Sequence, residues 1–185
     1  MPHLIFDNDF VHRVMDKLDQ RSGDELMAYK FVSVINRIVL LHKGPIIKFS
    51  LIVPTRNCND QIVHDYIIQW IQLLSTKGMK QLVVKDFRHR EVTAHHFSSL
   101  DLTHLMLFSV CFPYTPDNGR FTYLINLHLV EATCNLGQSI FDCPVLEKLT
   151  LIDCRGLFHT NFRSPNLKRQ VKYIAKQISK SHTLG

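Results

Sequence analysis

Apolar residues recur in the second half of the chain in three short stretches that share one spacing of leucines. The pattern Leu-x-x-Leu-x-Leu begins at Leu102, Leu124 and Leu146, so successive copies are 22 residues apart. The last two leucines of each copy are two positions apart, and side chains two positions apart on a β-strand point to the same face. Each copy therefore predicts a short strand that buries one face.

The regular period indicates the architecture that these strands build. A period of about 20–29 residues with this leucine pattern is the signature of leucine-rich repeats. A single repeat cannot bury its own apolar face, so neighbouring repeats stack around a continuous core. The predicted fold class is α/β: a leucine-rich-repeat solenoid, shaped as a short horseshoe, with a parallel β-sheet on the concave side and helices and turns on the convex side.

Two earlier copies of the template precede the regular repeats. Their central residues are Phe49 and Leu82, and the spacings between central positions from Phe49 onward are 33, 23, 22 and 22 residues. Apolar residues at helical spacing predict one helix from Asp24 to Leu41 and another, inside the long connection, from Ile62 to Thr76. Gly78 is expected to end the second helix in the left-handed conformation.

Each of these helices is expected to bury one apolar stripe. Asp24 or Ser22 is the expected cap at the start of the first helix. The residues assigned to the buried stripe of the first helix are Phe31, Val34, Ile35, Ile38 and Leu41. Those assigned to the second are Val63, Tyr66, Ile67, Trp70 and Leu74.

The chain divides into three predicted parts. Residues 1–23 form an N-terminal segment, irregular apart from a short helix. The strand around Phe49 is then an exposed edge of the sheet unless that helix covers it. Residues 24–167 form the repeat domain, and 168–185 form a basic tail or helix. At this end Gln170 stands where a central leucine is expected, so the end is either a decayed repeat or a terminal helix.

Composition fits one globular domain without disulfides. The chain has 185 residues, 45% of them hydrophobic and 21% charged, with a formal charge of +6 that permits an acidic partner without demanding one. Its five cysteines include no C-x-x-C pair, which argues against a disulfide framework and a zinc cage and suits the nucleus or cytoplasm. No apolar stretch approaches the roughly 18 residues of a membrane span, so none is expected.

The motifs of enzyme sites do not occur. The sequence contains no nucleophile elbow, glycine-rich phosphate loop or paired-carboxylate motif, so we predict no enzyme, no catalytic residue and no cofactor. His89, His95 and His96 with Glu91 raise a metal site as an alternative, but their spacing matches no zinc helix and a solvated loop is favoured. The cysteines that follow the regular strands are interpreted as buried structural thiols: Cys111, Cys134 and Cys154.

Residues that alternate with the buried leucines point out from the predicted concave face. Several of them are apolar, notably Met106 and Phe108, and an exposed apolar patch among polar neighbours is typical of a protein-binding surface. The alternatives are that a helix or the tail covers the patch, or that the register is shifted. The predicted partner-binding residues are Gln81, Val83, Lys85, His104, Met106, Phe108, Asn126, His128, Val130, Lys148, Thr150 and Ile152; Lys48 and Ser50 share the face.

Five blocks of sequence also resemble the plant F-box/FBD/LRR-repeat proteins, in that family's order. They cover residues 4–7, 31–41, 42–49, 70–82 and 143–154. The resemblance implies the substrate-recognition horseshoe of an SCF-type (cullin–RING) ubiquitin ligase, in which an F-box before the first block docks a Skp-type adaptor. Met1 lies three residues before Leu4 and the sequence ends at Gly185, so we expect a truncated chain without F-box or FBD region and without the adaptor.

The function predicted from these observations is a protein-interaction module of leucine-rich-repeat type that binds a protein partner on its concave sheet. One alternative is a nucleic-acid-binding protein that uses the basic residues from Lys168 to Lys180, although a solvated helix face is favoured there. Another is a fragment without independent function.

Overall fold

The main sheet contains the strands that the leucine template predicts and one further strand at each end. The computed structural model describes residues 2–17, 23–54, 60–85, 90–92, 95–98, 101–112, 121–134, 141–156 and 162–173. Within these ranges the elements are β1 (His3–Phe6), α1 (Asn8–Asp16), α2 (Asp24–Leu41), β2 (Lys48–Ile52), α3 (Asp60–Ser75), β3 (Gln81–Lys85), β4 (Arg90–Glu91), α4 (His95–Ser98), β5 (His104–Phe108), β6 (Val110–Phe112), β7 (Asn126–Val130), β8 (Thr133–Cys134), β9 (Phe141–Asp142), β10 (Lys148–Ile152), β11 (Phe162–Arg163) and β12 (Arg169–Tyr173).

Neighbouring strands of the main sheet are all parallel. Their order is β1-β2-β3-β5-β7-β10-β12, so each strand of the sheet lies beside the next one in sequence. The register places the central residues of the five predicted repeats side by side: Phe49, Leu82, Leu105, Leu127 and Leu149. The prediction of a mixed α/β fold with a parallel sheet is therefore confirmed.

The first of the added strands corrects the interpretation of the N-terminus. Residues 3–6 form β1, which pairs with β2 so that Leu4 lies beside Phe49. Phe6 is buried, and its ring lies 5.7 Å from that of Phe49 and 4.8 Å from that of Phe10 on α1. The expectation that residues before the first helix are irregular was wrong, because a run of three apolar residues shows no alternation although its backbone can still pair with β2.

The second added strand decides between the two C-terminal alternatives for residues 169–173. Arg169–Tyr173 pair with β10, and Gln170 lies in register with Leu149. From Arg169 to Tyr173 the end is thus a decayed repeat, while Ile174 and Ile178, on which the predicted terminal helix also depends, lie outside the described residues. The sheet continues beyond the predicted 24–167 range in both directions, while residues 174–185 lie outside the described ranges.

The helices form at the predicted places, but the buried face of α2 is only partly the predicted one: Phe31 and Ile35 are buried as predicted. Its buried residues are Met27, Ala28, Phe31, Val32, Ile35 and Val39. Val34 is 36% exposed and Leu41 is 67% exposed, so their assignment to the core was wrong. A helix with apolar residues on most of its sides has no sharp stripe, and contact with α3 and the sheet decides which side is buried. The cap prediction also fails for Asp24, which is already helical: the N-cap is Gly23, without a side-chain bond. The other candidate, Ser22, lies outside the described residues.

The core lies on one face of the sheet, and the two long helices contribute to it. From α3 it takes Val63, Ile67, Trp70, Ile71 and Leu74, which are all buried. The Trp70 ring lies 6.4 Å from that of Phe49, and its indole N–H donates to Asn36 Oδ1 at 3.3 Å, so the buried donor is satisfied. None of the helices in the described part of the chain has the length and apolar character needed to cross a bilayer.

The turns after β5, β7 and β10 repeat one unusual backbone conformation. Ser109, Glu131 and Asp153 have φ angles of 52°, 54° and 52°, a region that few residues other than glycine adopt. The N–H of Ser109 donates to the carbonyl of Val130 at 2.9 Å, and that of Glu131 to Ile152 at 2.8 Å. These turns lead β5 and β7 into β6 and β8, which form a second parallel sheet with β4.

Candidate functional site

The face of the main sheet that points away from α2 and α3 is the candidate site, and we call it the open face. Its side chains alternate with the buried ones and lie in three rows across the strands. The amino row, at the start of the strands, contains His3, Lys48, Gln81, His104, Asn126, Lys148 and Arg169. The middle row contains Ile5, Ser50, Val83, Met106, His128, Thr150 and Val171. The carboxyl row contains Ile52, Lys85, Phe108, Val130 and Ile152.

All twelve residues predicted for the concave face lie on the open face. The strands that carry them show the expected alternation, in which the leucine positions are buried and the outward positions are half-buried or exposed. The alternative of a shifted register is excluded by the pairing of the strands. The other alternative, a tail that covers the patch, concerns residues 174–185, which lie outside the described ranges.

An apolar patch occupies the centre of the open face. Its members come from four neighbouring strands: Val83, Met106, Phe108, Val130 and Ile152. The ring of Phe108 stacks on that of His128 with 6.0 Å between centroids and 29° between planes, and Lys85 Nζ lies 5.5 Å from its centroid. Phe108 is therefore held in place by two neighbours while the patch stays half-buried.

Positive charge borders this patch, mainly along the amino row. Lys48, Lys148 and Arg169 lie there, and Lys85 adds a fourth cation in the carboxyl row. Among the described side chains of the open face none is a carboxylate.

The carboxylates near the open face lie at its margins. Glu147, one residue before β10, pairs with Lys168 at 2.8 Å. Glu131 and Asp153 occupy the turns that follow β7 and β10, and the Glu131 carboxylate accepts a hydrogen bond from Ser109 Oγ at 2.8 Å.

Two of the three described histidines on the open face, His104 and His128, favour their neutral form. Burial lowers the pKa of His128. Burial also lowers the pKa of His104, with smaller contributions from the charges of Lys148 and Lys48. His104 Nδ1 lies 2.9 Å from Thr103 Oγ1. At neutral pH these two histidines therefore add little positive charge to the open face.

One polar atom of the amino row has no hydrogen-bond partner among the described residues. Asn126 Oδ1 is buried and accepts no hydrogen bond from the described part of the protein. Buried amide oxygens are generally hydrogen-bonded, so this oxygen marks a point where the row retains an unused acceptor.

A comparison with known proteins identifies the family. The family model described as "FBD-associated F-box protein At5g56370, LRR repeats" matches residues 67–182. The chain belongs to this family of leucine-rich repeats. It is also 33% identical over 155 residues, or 80% of its length, to the F-box/FBD/LRR-repeat protein At1g13570 of Arabidopsis thaliana, of which it spans 34%. No solved structure matches it. The resemblance inferred from the sequence blocks is thus confirmed.

The open face of this chain is wider than the sequence pattern indicated. β1 adds His3 and Ile5, and β12 adds Arg169 and Val171. The signal for β1 was available, because Leu4 and Phe6 are spaced like the last two residues of the template. β12 had no such signal, since polar residues stand where its leucines would be.

The side chains weighed for metal and thiol chemistry lie elsewhere. His89 and the side chain of His95 are outside the described residues, while Glu91 lies on β4 and His96 on α4. The described residues contain no group of three or more potential ligands that could hold a metal ion. Cys154 is buried, as predicted, whereas Cys111 is only half-buried. The side chain of Cys134 lies outside the described set.

Proposed function

We propose that this chain is a non-catalytic module that captures a protein partner on the open face of a short, curved solenoid. One observation carries the proposal: the apolar patch around Met106 and Phe108 is half-buried and lies on the opposite face of the sheet from the buried core. Apolar surface bordered by polar and charged side chains is the usual composition of a protein-binding site. The sheet also holds the patch rigidly, which lowers the entropic cost of binding.

The chemistry of the described side chains supports a role without catalysis. A nucleophile needs a neighbouring base or a lowered pKa. The described part of the open face has no carboxylate and no cysteine. Burial raises the pKa of the Cys143 and Cys154 thiols, which keeps them in their unreactive form.

Membership of this family suggests the process in which the bound protein takes part. We propose that in longer F-box/FBD/LRR-repeat proteins this region selects the protein that an SCF-type ubiquitin ligase modifies, in the nucleus or cytoplasm. The support is the family membership together with a surface that suits protein capture.

Loss of the apolar patch tests the proposal. Purified wild-type chain and M106D/F108D would be used to recover partners from plant extract, followed by quantitative mass spectrometry. We expect the variant to retain less than about one tenth of a specific partner, since central apolar residues contribute about 2 kcal/mol or more at an interface. The control is L40D, because Leu40 is a 58% exposed apolar residue on α2, away from the open face.

Folding of the variants is checked independently. Thermal unfolding followed by circular dichroism should keep M106D/F108D within a few degrees of wild type, and M106A/F108A serves if the aspartates destabilise the sheet. Undiminished capture by a folded patch variant, or an equal loss with L40D, would contradict the proposal.

A further inference from the structure

The described charged side chains of the open face are all cationic, and this restricts the kind of partner that can bind there. Lys48, Lys148 and Arg169 occupy the same position at the start of three strands. With strands roughly 4.8 Å apart, the row from β2 to β12 spans about 24 Å. The residues between these cations in the amino row are neutral at pH 7: Gln81, His104 and Asn126.

These cations are not balanced within the described structure. The chain has 16 acidic residues, yet none of them is among the described side chains of the open face. The margin residue Glu147 is already paired with Lys168. Lys48, Lys148 and Arg169 form no ion pair within the described residues. Their charge therefore remains available to a bound molecule.

We propose that the open face selects a protein segment that carries acidic side chains beside apolar ones. Its carboxylates would lie on the amino row, and its apolar side chains on Met106, Phe108 and Val130. The inference rests on the proposed function and adds the charge of the partner. Like charges brought together in an interface are costly, so this row disfavours basic segments as strongly as it favours acidic ones.

A nucleic acid fits the same surface less well. Proteins that bind single strands combine basic grooves with several aromatic side chains on which bases stack. Here the centre is aliphatic apart from Phe108, whose ring is already stacked on His128. Glu131 and Asp153 at the opposite margin would also repel phosphates. The observations thus favour an acidic protein segment.

Selection from a peptide library tests the inference without knowledge of the natural partner. Random 16-residue peptides displayed on phage would be selected on the immobilised full chain, with counter-selection on M106D/F108D. Enriched sequences would then be synthesised with a fluorophore, and their Kd measured by anisotropy at several salt concentrations. We expect Asp and Glu next to large apolar residues in the enriched peptides.

The charge itself is tested by reversal. K148E/R169E changes two exposed side chains on adjacent strands of the amino row. It should weaken peptide binding at least about tenfold, and added salt should weaken wild-type binding. The matched control is R13E/R37E, which makes the same change of charge on α1 and α2 and should change Kd less than about threefold.

The outcomes separate this inference from the proposal on which it rests. Neutral or basic peptides that bind K148E/R169E as well as wild type would overturn the charge preference, while dependence on Met106 and Phe108 would leave protein capture standing. Failure to enrich any peptide also overturns the proposed preference for acidic segments. An oligothymidine or RNA 16-mer that displaces the selected peptides with a lower Kd would overturn it in favour of nucleic acid.

Discussion

Cys143 shows how burial sets the chemistry of a single side chain. Burial, with a smaller contribution from Asp142, raises the pKa of its thiol to about 12. At pH 8 roughly one thiol in ten thousand is then a thiolate, the form that reacts. We predict that iodoacetamide leaves Cys143 unmodified in the folded chain and modifies it fully in urea, with half-buried Cys111 reacting earlier, as peptide mass spectrometry would show. Alkylation of native Cys143 at the rate of a free cysteine would contradict this.

At the scale of elements, the end of α3 depends on one glycine. Gly78 has φ +79°, and the N–H groups of Gly78 and Met79 bond to Ser75 and Leu74 at 3.2 and 3.3 Å. An added Cβ would meet no atom within 4 Å, so the cost of a side chain is conformational. We expect G78A to lower the free energy of unfolding by about 1 kcal/mol and G78N by less, since asparagine tolerates this conformation better. Urea unfolding measures both; equal stability of G78A and wild type would contradict the argument.

At the scale of the whole molecule, three partly buried histidines couple stability to pH. Burial is the largest cause of the lowered pKa of His64, His104 and His128. These histidines therefore take up protons near pH 6.5 in the unfolded chain but only at lower pH in the folded chain. The free energy of unfolding consequently falls as pH drops below about 6.5. We expect H104Q/H128Q to show a weaker dependence than wild type in urea unfolding between pH 7.5 and 5.5. Parallel curves for the two proteins would show that these histidines are not responsible.

Local patterns were sufficient for the repeated part of the fold. The 22-residue spacing and the alternation around Leu105, Leu127 and Leu149 predicted both the register and the outward residues. This worked because a parallel strand buried on one face places alternate residues on opposite sides, and each repeat carries the same information. The family resemblance followed from five specific blocks of sequence and not from the leucine period alone.

Three features depended on contacts between distant parts of the chain. Gln170 lies in the sheet because β10 offers an edge to pair with, although its own sequence favours no strand. Residues 3–6 form a strand because they pair with β2. Val34 is exposed because α2 packs against α3 and the sheet with another of its sides. In each case the local sequence allows more than one arrangement, and long-range packing selects among them.

The amino-acid sequence by itself determined the repeat, its strands and the residues that face outward, since these follow from a periodic pattern of buried side chains. Only the tertiary structure decided how far the sheet extends and how the outward residues combine. Lys148 and Arg169 become neighbours through strand pairing across 21 residues of chain, and Lys85 reaches Phe108 from the adjacent strand. The apolar patch and its uncompensated row of cations are properties of that assembled surface, because charge and exposure depend on which side chains meet in space.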